Sequence, residues 1–152
     1  MCGWNWSRAG AQGTPVQVVS SASGEALALA PESLATAYGA QLATQSLSAA
    51  PGGGLNNNLG GTTVSVRDSL GAERPASLFY VSPGQVNFLL PGGTQAGPAT
   101  ITVRAGDGTT STGTMTVSNV APALFTANGN GAGVVAGYAL RVKSDGSQLY
   151  ES

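Results

Sequence analysis

Residues 99–117 read ATITVRAGDGTTSTGTMTV, and their pattern decides the fold class. Ala99 to Arg104 alternates apolar Ala99, Ile101 and Val103 with Thr100, Thr102 and Arg104. Thr112 to Val117 does the same around Met115 and Val117. A period of two is the mark of a half-buried strand. Between the two runs, Ala105-Gly106-Asp107-Gly108 carries an Asp-Gly step, among the strongest short hairpin signals because both residues tolerate positive φ. This stretch is therefore a β-hairpin.

The same grammar extends in both directions. Val16, Val18 and Val19 are β-branched and run into the polar cluster Ser20 to Gly24, which places a first strand at 15–20. Ala26 to Ala30 has helical propensity, but Pro31 follows at once, and Leu34, Thr36 and Tyr38 then alternate as a second strand near 33–39. Ala49 to Gly61 holds five Gly, three consecutive Asn and one Pro, a long loop. Thr62 to Arg67 alternates, Asp68 to Gly71 is a turn, and Ala76 to Val81 resumes the pattern, so 62–81 is expected to be a hairpin. Ser82-Pro83-Gly84-Gln85 forms the next turn, with Pro and Gly where types I and II want them, and Val86 to Leu90 follows as a strand.

About seven strands over 15–120, with turns between them and no helix, predict an all-β domain: an immunoglobulin-like two-sheet antiparallel sandwich, with a small barrel as the alternative. Residues 1–14 contain two Trp without periodicity and read as a disordered or non-native leader. Residues 121–152 read as a linker followed by a C-terminal strand or hairpin.

Composition narrows the function. Charged residues are only 9% of 152, against 41% hydrophobic and 23 Gly. The net charge is −1, with no basic stripe for nucleic acid and no polybasic patch for a membrane surface. No apolar run reaches a membrane-spanning length, and the first 15 residues lack the charged start and apolar stretch of a signal peptide. Cys2 is the sole cysteine, so no internal disulfide forms. Histidine is absent, which removes the commonest general base and metal ligand together with any Ser-His-Asp triad.

Several residues nonetheless carry potential chemistry. Asp68, Asp107 and Asp145 occupy turns, and if loops converged they would offer Ca²⁺ oxygen ligands beside Asn56 to Asn58; calcium is the only metal this donor set suits. Asp107 and Asp145 each precede Gly, a purely local turn role that needs no ion. A Ser-Lys hydrolase would rest on Lys143, the sole lysine. A bound Ca²⁺ polarising an activated ester or lactone is the more physical enzymatic route. Tyr38, Phe79, Tyr80, Phe88 and Phe125 supply rings for sugar stacking, although strand alternation sends most such rings to the core. Tyr80 stands apart, because it neighbours Phe79 and one of the two must face outward or cover the sheet edge. Gln85 and Asn87 join Tyr80 as candidate binding residues, with satisfaction of backbone groups as the structural alternative.

The runs Val18 to Ser23, Tyr38-Gly39, Leu78 to Asn87, Gly97 to Ala99 and Ala121 to Thr126 together resemble the Solibacter-type C-terminal domain family of secreted acidobacterial proteins, over about residues 16–150. The sharpest element is Tyr80 to Asn87. The family is similar to immunoglobulin-like TIG domains, and the resemblance implies an extracellular accessory domain with no established activity. Two departures stand out: the head to Thr14 looks unrelated, and the chain stops before further strands that members carry. The resemblance thus implies a fragment with an unpaired strand edge, and an open edge predicts a homodimer by strand addition. Three functions follow in order: a module for protein interaction or spacing, a carbohydrate-binding module, and a histidine-free hydrolase. The expected partner is a protein or small molecule rather than nucleic acid or membrane.

Overall fold

The computed structural model describes residues 11–151. Among them there is no helix, and twelve strands carry the architecture: β1 (Val16–Ser20), β2 (Leu34–Tyr38), β3 (Leu47–Ser48), β4 (Asn58–Leu59), β5 (Thr62–Arg67), β6 (Glu73–Pro75), β7 (Ser77–Val81), β8 (Gln85–Leu89), β9 (Gly97–Arg104), β10 (Thr110–Val117), β11 (Ala139–Val142) and β12 (Gln148–Glu151). Nine of the first ten lie along one path, β3-β7-β8-β2-β1-β10-β9-β5-β4, and β6 pairs with β5 off that path. The β9–β10 hairpin forms as the sequence predicts, from Thr110↔Arg104 to Val117↔Gly97. Its turn is closed by the Ala105 N–H to the Thr109 carbonyl, with Gly108 at φ 90°.

The sheet is mixed, not antiparallel throughout. β1 runs parallel to β10, in register Val16↔Gly113 and Gln17↔Thr114, while it pairs antiparallel with β2 on its other side. A parallel pair needs a long crossover, and nearly the whole domain lies between these two strands. Gly113 makes the approach possible: a Cβ there would lie 3.0 Å from the Val16 carbonyl carbon and closer still to its oxygen.

The hairpin expected over 62–81 divides in two. After the Asp68 turn the chain returns as β6, pairing Arg67↔Glu73 to Ser65↔Pro75. Pro75 has no N–H and cannot continue the ladder. The Ala76 N–H makes a last bond to the Val64 carbonyl, and the chain then leaves β5 to pair with β8 as β7. Ala76 is fully buried at this crossing.

The two ends of the strand path come together. Asn56, just ahead of β4, bridges to Leu78 of β7, accepting the Leu78 N–H at 2.9 Å, so the segment leading into β4 spans from β5 to β7. The β7 edge of the main sheet is thus met by its own chain at Leu78. Inward residues from both halves merge into one core: Ala35, Ala37, Leu78, Val86 and Phe88 face Val64, Val66, Ile101, Val103 and Met115. The result is an all-β body close to a barrel.

Both ends of the chain differ in their attachment. Of the expected leader, Ala11 to Gly13 add to β10 through the Gly13 N–H to the Thr110 carbonyl and the Thr110 N–H to the Ala11 carbonyl. Thr14 exchanges hydrogen bonds with Ala40. Residues 1–10 lie outside the described residues. At the other end, β11 and β12 pair with each other as a separate two-stranded sheet, in register Ala139↔Glu151 to Val142↔Gln148.

Candidate functional site

β2, β7 and β8 are read most easily from β8, where Val86 and Phe88 are fully buried and Gln85, Asn87 and Leu89 take the outer face. Register carries that face across its neighbours: Tyr38 of β2 pairs with Gln85, Thr36 with Asn87, and on the far side Tyr80 of β7 pairs with Asn87. β1 continues the first row, since Gln17 pairs with Tyr38. The Gln85 amide donates its N–H to the Asn87 Oδ1 at 2.8 Å, which locks the two amides into a short ladder along the strand. Thr36 is buried and pairs its hydroxyl with Ser21 at 2.8 Å.

The candidate binding residues Tyr80, Gln85 and Asn87 are therefore neighbours on one surface. Turn chemistry explains only part of Gln85: its backbone N–H and carbonyl close the Ser82–Gln85 turn, and its side chain is left for the face. Tyr38 joins them, 45% exposed. Simple alternation misplaces the pair Phe79 and Tyr80, because a register shift between Leu78 and Tyr80 makes Phe79 a bulge. Its carbonyl accepts the Ala49 N–H of the segment beside β7, and both rings are half-buried. Bulges re-aim side chains in this way. Phe88 belongs to the core.

A second signal was present in the sequence and is visible only once the strand order is known. β1, β2, β7 and β8 are adjacent and contain no Asp, Glu, Lys or Arg; the sheet's charged strand residues, Arg67, Glu73, Arg74 and Arg104, all lie on β5, β6 and β9. The charged strand residues thus lie on one half of the body, while among the described residues the other half carries charge only in its connections, at Glu25 and Glu32 between β1 and β2.

On the charged half a groove of about 760 Å³ opens where β4 and β6 diverge along β5, lined by Asn56 to Asn58, Thr102, Glu73 and Arg104. Two of its asparagines serve the fold: Asn57 Oδ1 accepts the Ser77 hydroxyl, and Asn58 Oδ1 accepts the Gly61 N–H.

The three candidate calcium aspartates occupy three separate turns. Asp68 ends β5 and Asp107 follows β9; these strands are antiparallel, with Thr63 opposite Arg104 and Arg67 opposite Thr100, so the two turns sit at opposite ends of the sheet. Asp145 lies in the β11–β12 turn. Among the described residues no three acidic or thiol side chains group as a metal site would require. Each carboxylate is engaged locally. Asp107 accepts the Thr109 N–H at 2.8 Å, and Asp145 accepts the Ser147 N–H and hydroxyl at 2.9 and 2.6 Å; these bonds hold both carboxyls below the usual range.

Asp68 is a latch. Only 5% exposed, it accepts N–H groups from Leu70, Ala72 and Gln95 and an ion-paired bond from Arg74 Nη1 at 2.7 Å. Burial pushes its carboxyl upward, but the bonds from Gln95, Arg74, Ala72 and Leu70 outweigh it and leave the carboxyl below its ordinary value. It ties the β5–β6 turn to the loop before β9, a structural use of the charge. Lys143 lies in the β11–β12 turn, its backbone N–H bonded to the Ser147 carbonyl.

Comparison of the chain with protein-family models, with curated proteins and with solved structures finds no match.

Proposed function

We propose that this chain is an extracellular accessory module of the immunoglobulin-like sandwich type, working by binding or spacing and not by catalysis. The sandwich reading is supported by β1, which pairs antiparallel with β2 and parallel with β10 and so joins two facing halves around one core. The extracellular placement rests on the resemblance of Tyr80 to Asn87, and the runs around it, to the secreted Solibacter-type domains.

One observation carries the functional reading. The carboxylates that would do chemistry are separated and committed to turns, whereas Tyr38, Tyr80, Gln85 and Asn87 converge on the outer face of an uncharged half-sheet. Uncommitted surface of this kind suits recognition. The test is a panel of chromogenic esters and lactones, with and without EDTA, on the wild type and on the Asp68, Asp107 and Asp145 alanine variants. No turnover above buffer is expected; EDTA-sensitive turnover lost in these variants would overturn the reading in favour of a calcium-dependent hydrolase.

A second copy of the chain is the protein partner proposed. With the β7 edge of the main sheet met by Asn56 and β3, strand addition would use the outer edges of β11 and β12, whose Leu140, Val142 and Tyr150 are exposed on one face. Light scattering at rising concentration should report a dimer, and a monomer throughout would end that proposal.

A further inference from the structure

We infer that the accessible part of the outer face of β1, β2, β8 and β7, where Gln17, Tyr38 and Gln85 form one row and Asn87 and Tyr80 flank it beside the buried Val19 and Thr36, is a binding platform for neutral glycan chains. The inference rests on the accessory-module reading and names its ligand. Four adjacent strands without a charged side chain, flanked by Glu25 and Glu32 of the β1–β2 connection, give a surface with no electrostatic attraction for nucleic acid or acidic polysaccharide. What the surface offers instead is two tyrosine rings and three amides, Gln17, Gln85 and Asn87. Tyrosine combines an apolar ring face with a polar tip, and suits a ligand that is apolar on one side and hydroxylated on its edges. Pyranose rings have that construction.

The amides are arranged for the edges. Gln85 gives one N–H to Asn87 Oδ1, which leaves the Gln85 Oε1 as an acceptor at one end of the bonded pair and the Asn87 NH₂ as a donor at the other. Sugar hydroxyls both donate and accept, so a hydroxylated ligand can answer each end. The rings flank this ladder diagonally: Tyr38 lies across from Gln85 on one side of β8 and Tyr80 across from Asn87 on the other. Two strand spacings and two residues of offset set their Cα atoms about 12 Å apart, the span of a short oligosaccharide rather than a single sugar. The groove on the opposite half, by contrast, has Glu73 and Arg104 in its lining and no aromatic ring.

The test is native affinity electrophoresis of the full chain in gels containing xyloglucan, hydroxyethylcellulose, glucomannan or laminarin, with dextran sulfate as the charged control. At least one neutral polysaccharide should retard the chain, and dextran sulfate should not. Tyr38→Ala and Tyr80→Ala should each weaken binding about tenfold, and Gln85→Ala about fivefold. Tyr38→Phe and Tyr80→Phe keep the rings and should retain most of the retardation, and Thr112→Ala on β10 should change nothing. Because Tyr80 is half-buried, the exposed Tyr38 and the outward amide of Gln85 decide the matter if Tyr80→Ala fails to fold. Free migration in all four neutral gels, or equal retardation of wild type, Tyr38→Ala and Gln85→Ala, overturns the glycan platform. New reducing ends appearing in the polysaccharide would instead overturn the accessory reading on which it rests.

Discussion

Replacing Gly113 with alanine should destabilise the protein, although local propensity argues the reverse. Gly113 lies within β10 with φ outside the left-handed region, so alanine meets no backbone strain there. Glycine in a strand interior costs about 0.5–1 kcal/mol relative to alanine, and on that ground alone the substitution would stabilise. The parallel β1·β10 pair reverses the sign. A Cβ at 113 would press on the Val16 carbonyl oxygen, 3.0 Å from its carbon and 3.1 Å from the Val16 Cβ. Carbonyl and Cα cannot swing aside as a side-chain tip can, so β1 must withdraw. Withdrawal loosens the pairs Val16↔Gly113 and Gln17↔Thr114 and disturbs the buried Val16 and Val18. Overpacking of this kind costs about 1–3 kcal/mol and each loosened ladder bond about 1 kcal/mol, leaving a net loss of about 2 kcal/mol after the propensity gain. Urea denaturation followed by far-UV circular dichroism and tyrosine fluorescence should show the midpoint falling by about 1 M at an unchanged slope. An equal or higher midpoint would refute the parallel pairing of β1 with β10.

Three further outcomes follow from the packing. Phe88→Ala empties the fully buried centre between Leu78 and Ala35 and should cost about 3–5 kcal/mol in the same urea experiment. Asp68→Asn should flatten the acid limb of the stability profile: the folded carboxyl lies below its ordinary 3.8, so its contribution is fully present above that value and is lost as the pH falls through the lower folded value, a dependence the variant lacks when midpoints are measured from pH 6 to pH 2. Gly131 sits at φ 79° with its Cα beside the Ser23 backbone, where a Cβ would come within 2.6 Å of the carbonyl carbon; Gly131→Ala should speed proteolytic cleavage between residues 121 and 138 while the urea midpoint of the body stays in place.

Local signals were legible wherever local chemistry decides. The Asp107-Gly108 turn, the Ser82–Gln85 turn and the alternation of β5, β8, β9 and β10 follow from φ preferences and the two-residue period, which act within a few residues. Partner choice is different. Nothing in the Val-rich run at 16–19 says that it lies parallel to β10, and Gly113 reads as an ordinary strand glycine until Val16 stands opposite it. The split of 62–81 was signalled by Pro75, whose missing N–H ends the β5 ladder, but alternation before and after it masked the break. The bulge at Phe79 and the bond from Gln95 to Asp68, 27 residues away, depend on tertiary placement. At the candidate site, Gln85 and Asn87 were readable as one face of a strand with Tyr80 beside them. Tyr38, one of five candidate rings in the sequence, joined them only when β2 was found next to β8, and the absence of charged strand residues became a surface property only when β1, β2, β7 and β8 proved adjacent.

The proposed working surface is the outer face of β1, β2, β8 and β7 and not the polar groove or the turns. A backbone amide NMR spectrum of the labelled chain, recorded with and without soluble xyloglucan and laminarin, addresses it residue by residue. Shifts or broadening are expected at Gln17, Tyr38, Tyr80, Gln85 and Asn87, with Thr100 to Thr112 unchanged. Perturbation confined to Asn56 to Asn58 and Glu73, or a spectrum that neither polysaccharide alters, would contradict it.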